Sequence, residues 1–179
     1  MSARRVVVGL GCPDRGDDAA GPVSAQLVAG LALPGVLVVA HEDPTGLADL
    51  WRDMDLVVVI DSVRSGAPAG TVTVIEAGEG VGALGDAAWL ASGRDGTHAQ
   101  GLATAVELAR VRGGLPARLV LVGVEGAQLE EGAPLSDPVA VALDTVVATV
   151  AAVLEGPVAR VPTQRTAVSD GRAWGVRGM

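Results

Sequence analysis

The residues of this chain with chemistry to offer are carboxylates and a single well-placed imidazole, and three short stretches hold them. The stretch Gly9-Leu10-Gly11-Cys12-Pro13-Asp14-Arg15-Gly16-Asp17-Asp18-Ala19-Ala20-Gly21 sets adjacent carboxylates in a glycine-rich turn after an apolar run. Asp61 closes the run Leu56-Val57-Val58-Val59-Ile60. His98 lies in Gly96-Thr97-His98-Ala99-Gln100-Gly101-Leu102, where a loop turns into a helix. An acid at the end of a five-residue aliphatic strand is expected to be half buried, and such a charge needs a cation, a metal or several hydrogen bonds. Near a helix N-terminus the charged form of a histidine is disfavoured, which keeps the imidazole neutral and able to ligate. Two carboxylates and one imidazole make a hard-to-borderline donor set, suited to Zn, Ni or Fe rather than Cu(I). Asp18, Asp61 and His98 are therefore the candidate site.

The neighbouring residues read more plainly. Asp17 is expected to be a helix N-cap or a solvated acid near a helix N-terminus. Cys12 reads as a small buried filler, with a soft fourth ligand as the alternative. His41 reads as a strand-end residue. Glu42 and Asp43 are either acids behind the site or turn formers. Other chemistries drop out. The Gly9-x-Gly11 pair invites a dinucleotide reading, but the sixth position of that fingerprint is Asp14, and an acid there would repel a pyrophosphate. No serine sits in G-x-S-x-G. His41-Glu42 lacks the second histidine of a zincin, and a chain without lysine has no P-loop lysine.

The elements that must position these residues follow from periodicity and breakers. Residues 4–10 read as a buried parallel strand, 36–40, 56–60 and 118–124 as further strands, and 71–75 as an edge strand. Pro22 fits only a first helical turn, so a helix is expected from Gly21 or Pro22 until Pro34-Gly35. Further helices are expected over 47–54, from Thr97 as N-cap through 98–112, and from Ser136 to about Leu154. Residues 78–96 are glycine-rich, with a helical turn expected near 87–90. Strands alternating with helices imply an α/β protein of three layers on a mostly parallel sheet. Ligands of such sheets bind beyond the strands' carboxyl ends, where strand order switches. If the first and third strands are neighbours, Asp18 and Asp61 share one crevice.

Composition sets the outer limits. The 179 residues are 49% hydrophobic with no Phe or Tyr, which suits a valine-rich sheet under alanine- and leucine-rich helices. The net charge is −8, and the last 23 residues hold four arginines against one aspartate. Residues 1–156 therefore carry −11, which argues against nucleic acid as a partner. The single cysteine excludes an internal disulfide framework and a multi-cysteine zinc site. No apolar run reads as a membrane span or signal peptide, so a cytoplasmic protein is expected. A single domain is expected over 1–156, with a disordered tail over 157–179.

Taken together, these stretches resemble the hydrogenase maturation proteases, the endopeptidases that trim the C-terminus of the [NiFe]-hydrogenase large subunit. The resemblance covers about residues 5–155 and rests on the Gly9–Gly21 stretch, Asp61, Thr97-His98-Ala99-Gln100-Gly101-Leu102, and Val120-Leu121-Val122-Gly123-Val124-Glu125. It implies a three-layer α/β/α sandwich with a five-stranded, mostly parallel mixed sheet, one strand antiparallel and the first and third adjacent. It implies that Asp18, Asp61 and His98 bind a metal, and that this metal is nickel already carried by the large-subunit precursor, which is the partner. The resemblance leaves open whether metal or carboxylate activates the attacking water. The chain departs from the family pattern at Cys12, where Asn is usual, at Glu42-Asp43-Pro44-Thr45 and at Leu135-Ser136-Asp137-Pro138. Two other readings stand beside it: a metal-assisted peptidase acting on another protein, and a non-enzymatic nickel or precursor-binding chaperone. A monomer is expected.

Overall fold

A computed structural model describes residues 3–84 and 97–158, the first four of the second segment by backbone alone. Five strands run in chain order: β1 (Arg5–Leu10), β2 (Val36–His41), β3 (Leu56–Val63), β4 (Val72–Glu76) and β5 (Arg118–Glu125). They form one sheet in the order β2-β1-β3-β5-β4, parallel except for β4, which pairs antiparallel with β5. Four helices fall among the described residues: α1 (Ala20–Gly30), α2 (Leu47–Trp51), α3 (Thr97–Arg112) and α4 (Asp137–Glu155). The expected three-layer sandwich with β1 beside β3 is thus observed.

The sheet is buried on both faces, which is why its central strands read as unbroken aliphatic runs. Val6, Val8, Leu10, Val57, Val59 and Leu121 pack with Trp51, Leu102 and Val106 on the face covered by α2 and α3. Val7, Val58, Ile60, Val120 and Val122 pack with Val28, Val146 and Val150 on the face covered by α1 and α4. By length and composition α4 is apolar enough to cross a membrane. Here its Val139, Val146, Val150 and Leu154 lie against the sheet.

Between α1 and β1 the packing is backbone against backbone. A Cβ on Gly9 would meet the Gly21 carbonyl oxygen and, at 2.7 Å, the Ala25 Cβ. A Cβ on Gly21 would meet the Leu10 carbonyl oxygen and, at 2.7 Å, that of Ile60. This close approach brings the start of α1 down onto the carboxyl ends of β1 and β3.

Three boundaries differ from expectation in ways that matter. The helix after β1 does not begin at Gly21 or Pro22: a 3₁₀ turn over Gly16–Ala19 runs straight into α1, so Asp17 and Asp18 are already helical. Pro22 still sits in the first α turn, where its missing N–H costs nothing. Asp61 does not close β3. The strand continues to Val63, because β5 goes on pairing through Ser62 with Val124 and Val63 with Glu125 after pairing with β1 has ended at Gly9 and Ile60. The helix after β2 is shorter than 47–54, stopping at Trp51 before Asp53, whose φ is +64°. The turn expected near 87–90 and the tail beyond 158 lie outside the described residues.

Candidate active site

Strand order switches between β1 and β3, and the crevice beyond their carboxyl ends is the place for a ligand. Asp61 is fully buried there. It shares the strand face of Val57, Val59 and Val63, the face covered by α2 and α3, because side chains alternate along a strand. Its cross-strand neighbour on β5 is Gly123, which adds no side chain beside it.

Asp18 comes to the same edge through the turn after β1. Gly11 takes a φ of +132° and lies so close to Asp18 that a Cβ would meet the Asp18 carbonyl oxygen. That conformation and approach suit glycine. The Asp18 Oδ2 accepts the Cys12 backbone N–H at 2.9 Å, and the residue is 6% exposed. The 3₁₀ turn carrying Asp18 packs against β3.

His98 lies in the first turn of α3, and its side chain is outside the described residues. The backbone fixes where that turn sits. A Cβ on Gly101 would stand 2.5 Å from Pro44 Cγ, so α3 begins against the loop that follows β2. Asp43 caps the 3₁₀ turn of that loop by accepting the Thr45 N–H at 2.8 Å, and Pro44 is buried. Glu42 and Asp43 are exposed. Asp43 is therefore the turn former of the two earlier alternatives. The His41 carbonyl accepts the Gly11 N–H at 2.9 Å, tying the ends of β1 and β2 together.

Two expectations at this edge need correction. Cys12 is half-buried rather than fully buried, and it meets Asp18 through its backbone N–H. Asp17 neither caps its helix nor faces solvent. It is fully buried and accepts four hydrogen bonds from the segment after β5. These come from Ala127 N at 2.7 Å, Gln128 N at 3.0 Å, Ser136 N at 2.6 Å and Ser136 Oγ at 2.9 Å. Burial pushes its carboxyl up, and the Gln128, Ser136 and Ala127 N–H groups with the Ser136 hydroxyl outweigh that and hold it below the usual carboxylate range.

Sequence reasoning also missed Glu125 as a buried acid. Its carboxylate accepts the Ser65 N–H at 3.0 Å, the Ser65 hydroxyl at 2.7 Å and the Gly66 N–H at 2.9 Å, holding the loop between β3 and β4. An acid ending an apolar strand was the available signal, the same one that singled out Asp61.

The comparisons with known proteins agree with this architecture. A family model described as hydrogenase maturation protease matches residues 42–153, a span that holds Asp61 and His98 and begins after the Gly9–Gly21 stretch. The fold is similar to a hydrogenase maturating endopeptidase, HybD from E. coli, with 22% identity, TM-score 0.67, and coverage of 84% of this chain and 91% of that one. It is similar to a hydrogenase 2 maturation peptidase from Thaumarchaeota archaeon SCGC_AB-539-E09, with 26% identity, TM-score 0.59, and coverage of 85% and 98%. A [NiFe] hydrogenase maturation protease HybD from Thermococcus kodakarensis gives 19% identity, TM-score 0.63, and coverage of 84% and 98%. No curated protein matches the chain by sequence. With more than half of its length matched by the family model, on a sheet whose switch point gathers buried acids, the chain belongs to the hydrogenase maturation protease family.

Proposed function

We propose that this protease removes the C-terminal extension of a nickel-loaded [NiFe]-hydrogenase large-subunit precursor, and that Asp18, Asp61 and His98 engage the nickel the precursor carries. The observation that supports this most is the fully buried Asp61 on the α2/α3 face, beside the turn that bears Asp18. A carboxylate there is poised to meet a cation brought in by a substrate. The donor set of two carboxylates and one imidazole suits nickel. Three protein donors leave room for the precursor's own ligands and for water. Hydrolysis then needs one group to take the water proton and to return a proton to the leaving amine, and a carboxylate of the pair is fitted for that role. The same reading makes the protein a cytoplasmic monomer whose partner is the precursor.

The test is to incubate the purified protein with precursor loaded with nickel and with precursor free of it. The expected result is a product shortened at its C-terminus from the nickel-loaded precursor alone. Binding without cleavage would favour the chaperone reading, and equal cleavage of both forms would remove nickel from the recognition step.

A further inference from the structure

We infer that Asp17 is the positioning residue of this site: its carboxylate sets the turn bearing Asp18 in register with the segment of β3 bearing Asp61. The inference rests on the proposed roles of Asp18 and Asp61. It starts from the range of the Asp17 contacts. Oδ1 accepts Ser136 N at 2.6 Å, and Oδ2 accepts Ala127 N at 2.7 Å, Gln128 N at 3.0 Å and Ser136 Oγ at 2.9 Å. The Asp17 N–H donates in return to the Gln128 carbonyl at 2.8 Å. Hydrogen bonds to an ionised acceptor are short and strong, and four of them on one buried carboxylate leave it little freedom.

The contact reaches β3 as well. A Cβ on Gly126 would lie 2.9 Å from Ser62 Oγ and 3.2 Å from Asp17 Cβ. Gly126 therefore lets Asp17 and Ser62 come together across it, and its N–H donates to Val63 O at 3.0 Å. Ser62 directly follows Asp61, and Asp18 directly follows Asp17. One anchored carboxylate thus has a proposed metal-binding residue one peptide away along the turn, and another one peptide beyond its neighbour on β3. Further bonds staple the same turn to the stretch after β5 that holds the Asp17 carboxylate: Gly16 N to Ala133 O at 3.1 Å and Gly132 N to Asp14 O at 2.7 Å.

Asp17→Asn is close to isosteric but cannot reproduce this. Whichever way the amide turns, its NH₂ faces at least one backbone N–H that the carboxylate had accepted. The full chain is assayed on nickel-loaded precursor with kcat, KM and Tm measured for Asp17→Asn, Ser136→Ala, Glu125→Gln and Asp18→Asn. Glu125→Gln is the structural control, since the Glu125 carboxylate accepts from Ser65 and Gly66 of the loop after β3 and from neither the Asp18 turn nor Ser62, although its backbone pairs with Val63. For Asp17→Asn, kcat should fall by about 10–100-fold, the scale for disturbing a group behind a ligand, with KM within about twofold. Glu125→Gln should lower Tm comparably and leave kcat within about twofold. Ser136→Ala removes only the hydroxyl donor and should lower kcat a few fold, so it carries the test if Asp17→Asn fails to fold. An Asp17→Asn protein that melts earlier yet keeps its kcat overturns the inference. So does a kcat loss shared equally by Glu125→Gln, or an unfolded Asp17→Asn beside a fully active Ser136→Ala. Wild-type turnover in Asp18→Asn would instead locate the failure in the Asp18 role.

Discussion

The two ends of the sheet handle charge in opposite ways. At the amino end, an acid of the sheet is joined to an opposite charge. The Arg118 guanidinium pairs with the Glu76 carboxylate at 2.6 Å and reaches the Val153 and Pro157 carbonyls. At the carboxyl end, Asp17 and Glu125 are held by N–H and hydroxyl donors. Among the described residues, two arginines of that end are turned to carbonyls: Arg15 Nε donates to Leu129 O at 3.0 Å and Arg64 Nη2 to Ala127 O at 3.2 Å. Donors without formal charge order an acid but do not cancel its charge. Among the described residues, Asp17 and Glu125 therefore keep their negative charge at this end, and a cleft of one sign concentrates ligands of the other. The nickel-loaded precursor proposed above would be such a ligand.

Removing charge where it is proposed to act should cost the most activity. Asp61→Asn keeps the shape of the side chain and should lower processing by more than about a hundredfold, beyond the range for groups behind a ligand. The fold should persist by circular dichroism. Full activity would show that the carboxyl-end charge has no role in cleavage.

The amide-held Asp17 should show itself in the pH dependence of stability. The Asp17 carboxyl lies below its ordinary value in the folded protein, so its stabilisation is fully present above the unfolded value, about 3.9, and is lost as pH falls through the folded one. The Tm difference between wild type and Asp17→Asn should be constant near neutrality and narrow below about pH 4. A gap that stays constant into strong acid would mean that charge plays no part in the anchor.

At the amino end, Arg118→Ala should cost about 1.5–3 kcal/mol, as expected for charge-assisted bonds of a half-buried guanidinium. Thermal melting would show it, while processing stays within about twofold of wild type. Cys12→Ser should do least. The thiol is not what meets Asp18, so the Cys12 N–H bond survives and both Tm and processing should remain near wild type. A tenfold loss would promote the thiol to a partner of the site.

How far the sequence carried this reading depends on the range of each interaction. β1, β3 and β5 were legible because a strand buried on both faces must be continuously aliphatic. Asp61 was legible because a charge interrupts that run. The crevice followed from topology once β1 and β3 proved adjacent. The role of Asp17 was hidden because its partners lie 110 to 119 residues away, and three of the four are backbone N–H groups that no side-chain pattern announces. The end of β3 was misplaced for a related reason: pairing with β5, not local propensity, carries it past Asp61 to Val63.

The contact between Gly9 and Gly21 has a consequence for how this sequence can change. Most crowded pairs in a protein drift together, one residue growing as its neighbour shrinks. Here both members are already the smallest residue, and each would strike the other's stretch of backbone. No substitution at either position has a compensating partner. Relief could come only by lifting α1 from the sheet, which would carry Asp17 and Asp18 away with it. The two positions form a closed door in the mutational landscape, and descendants of this chain must vary around them.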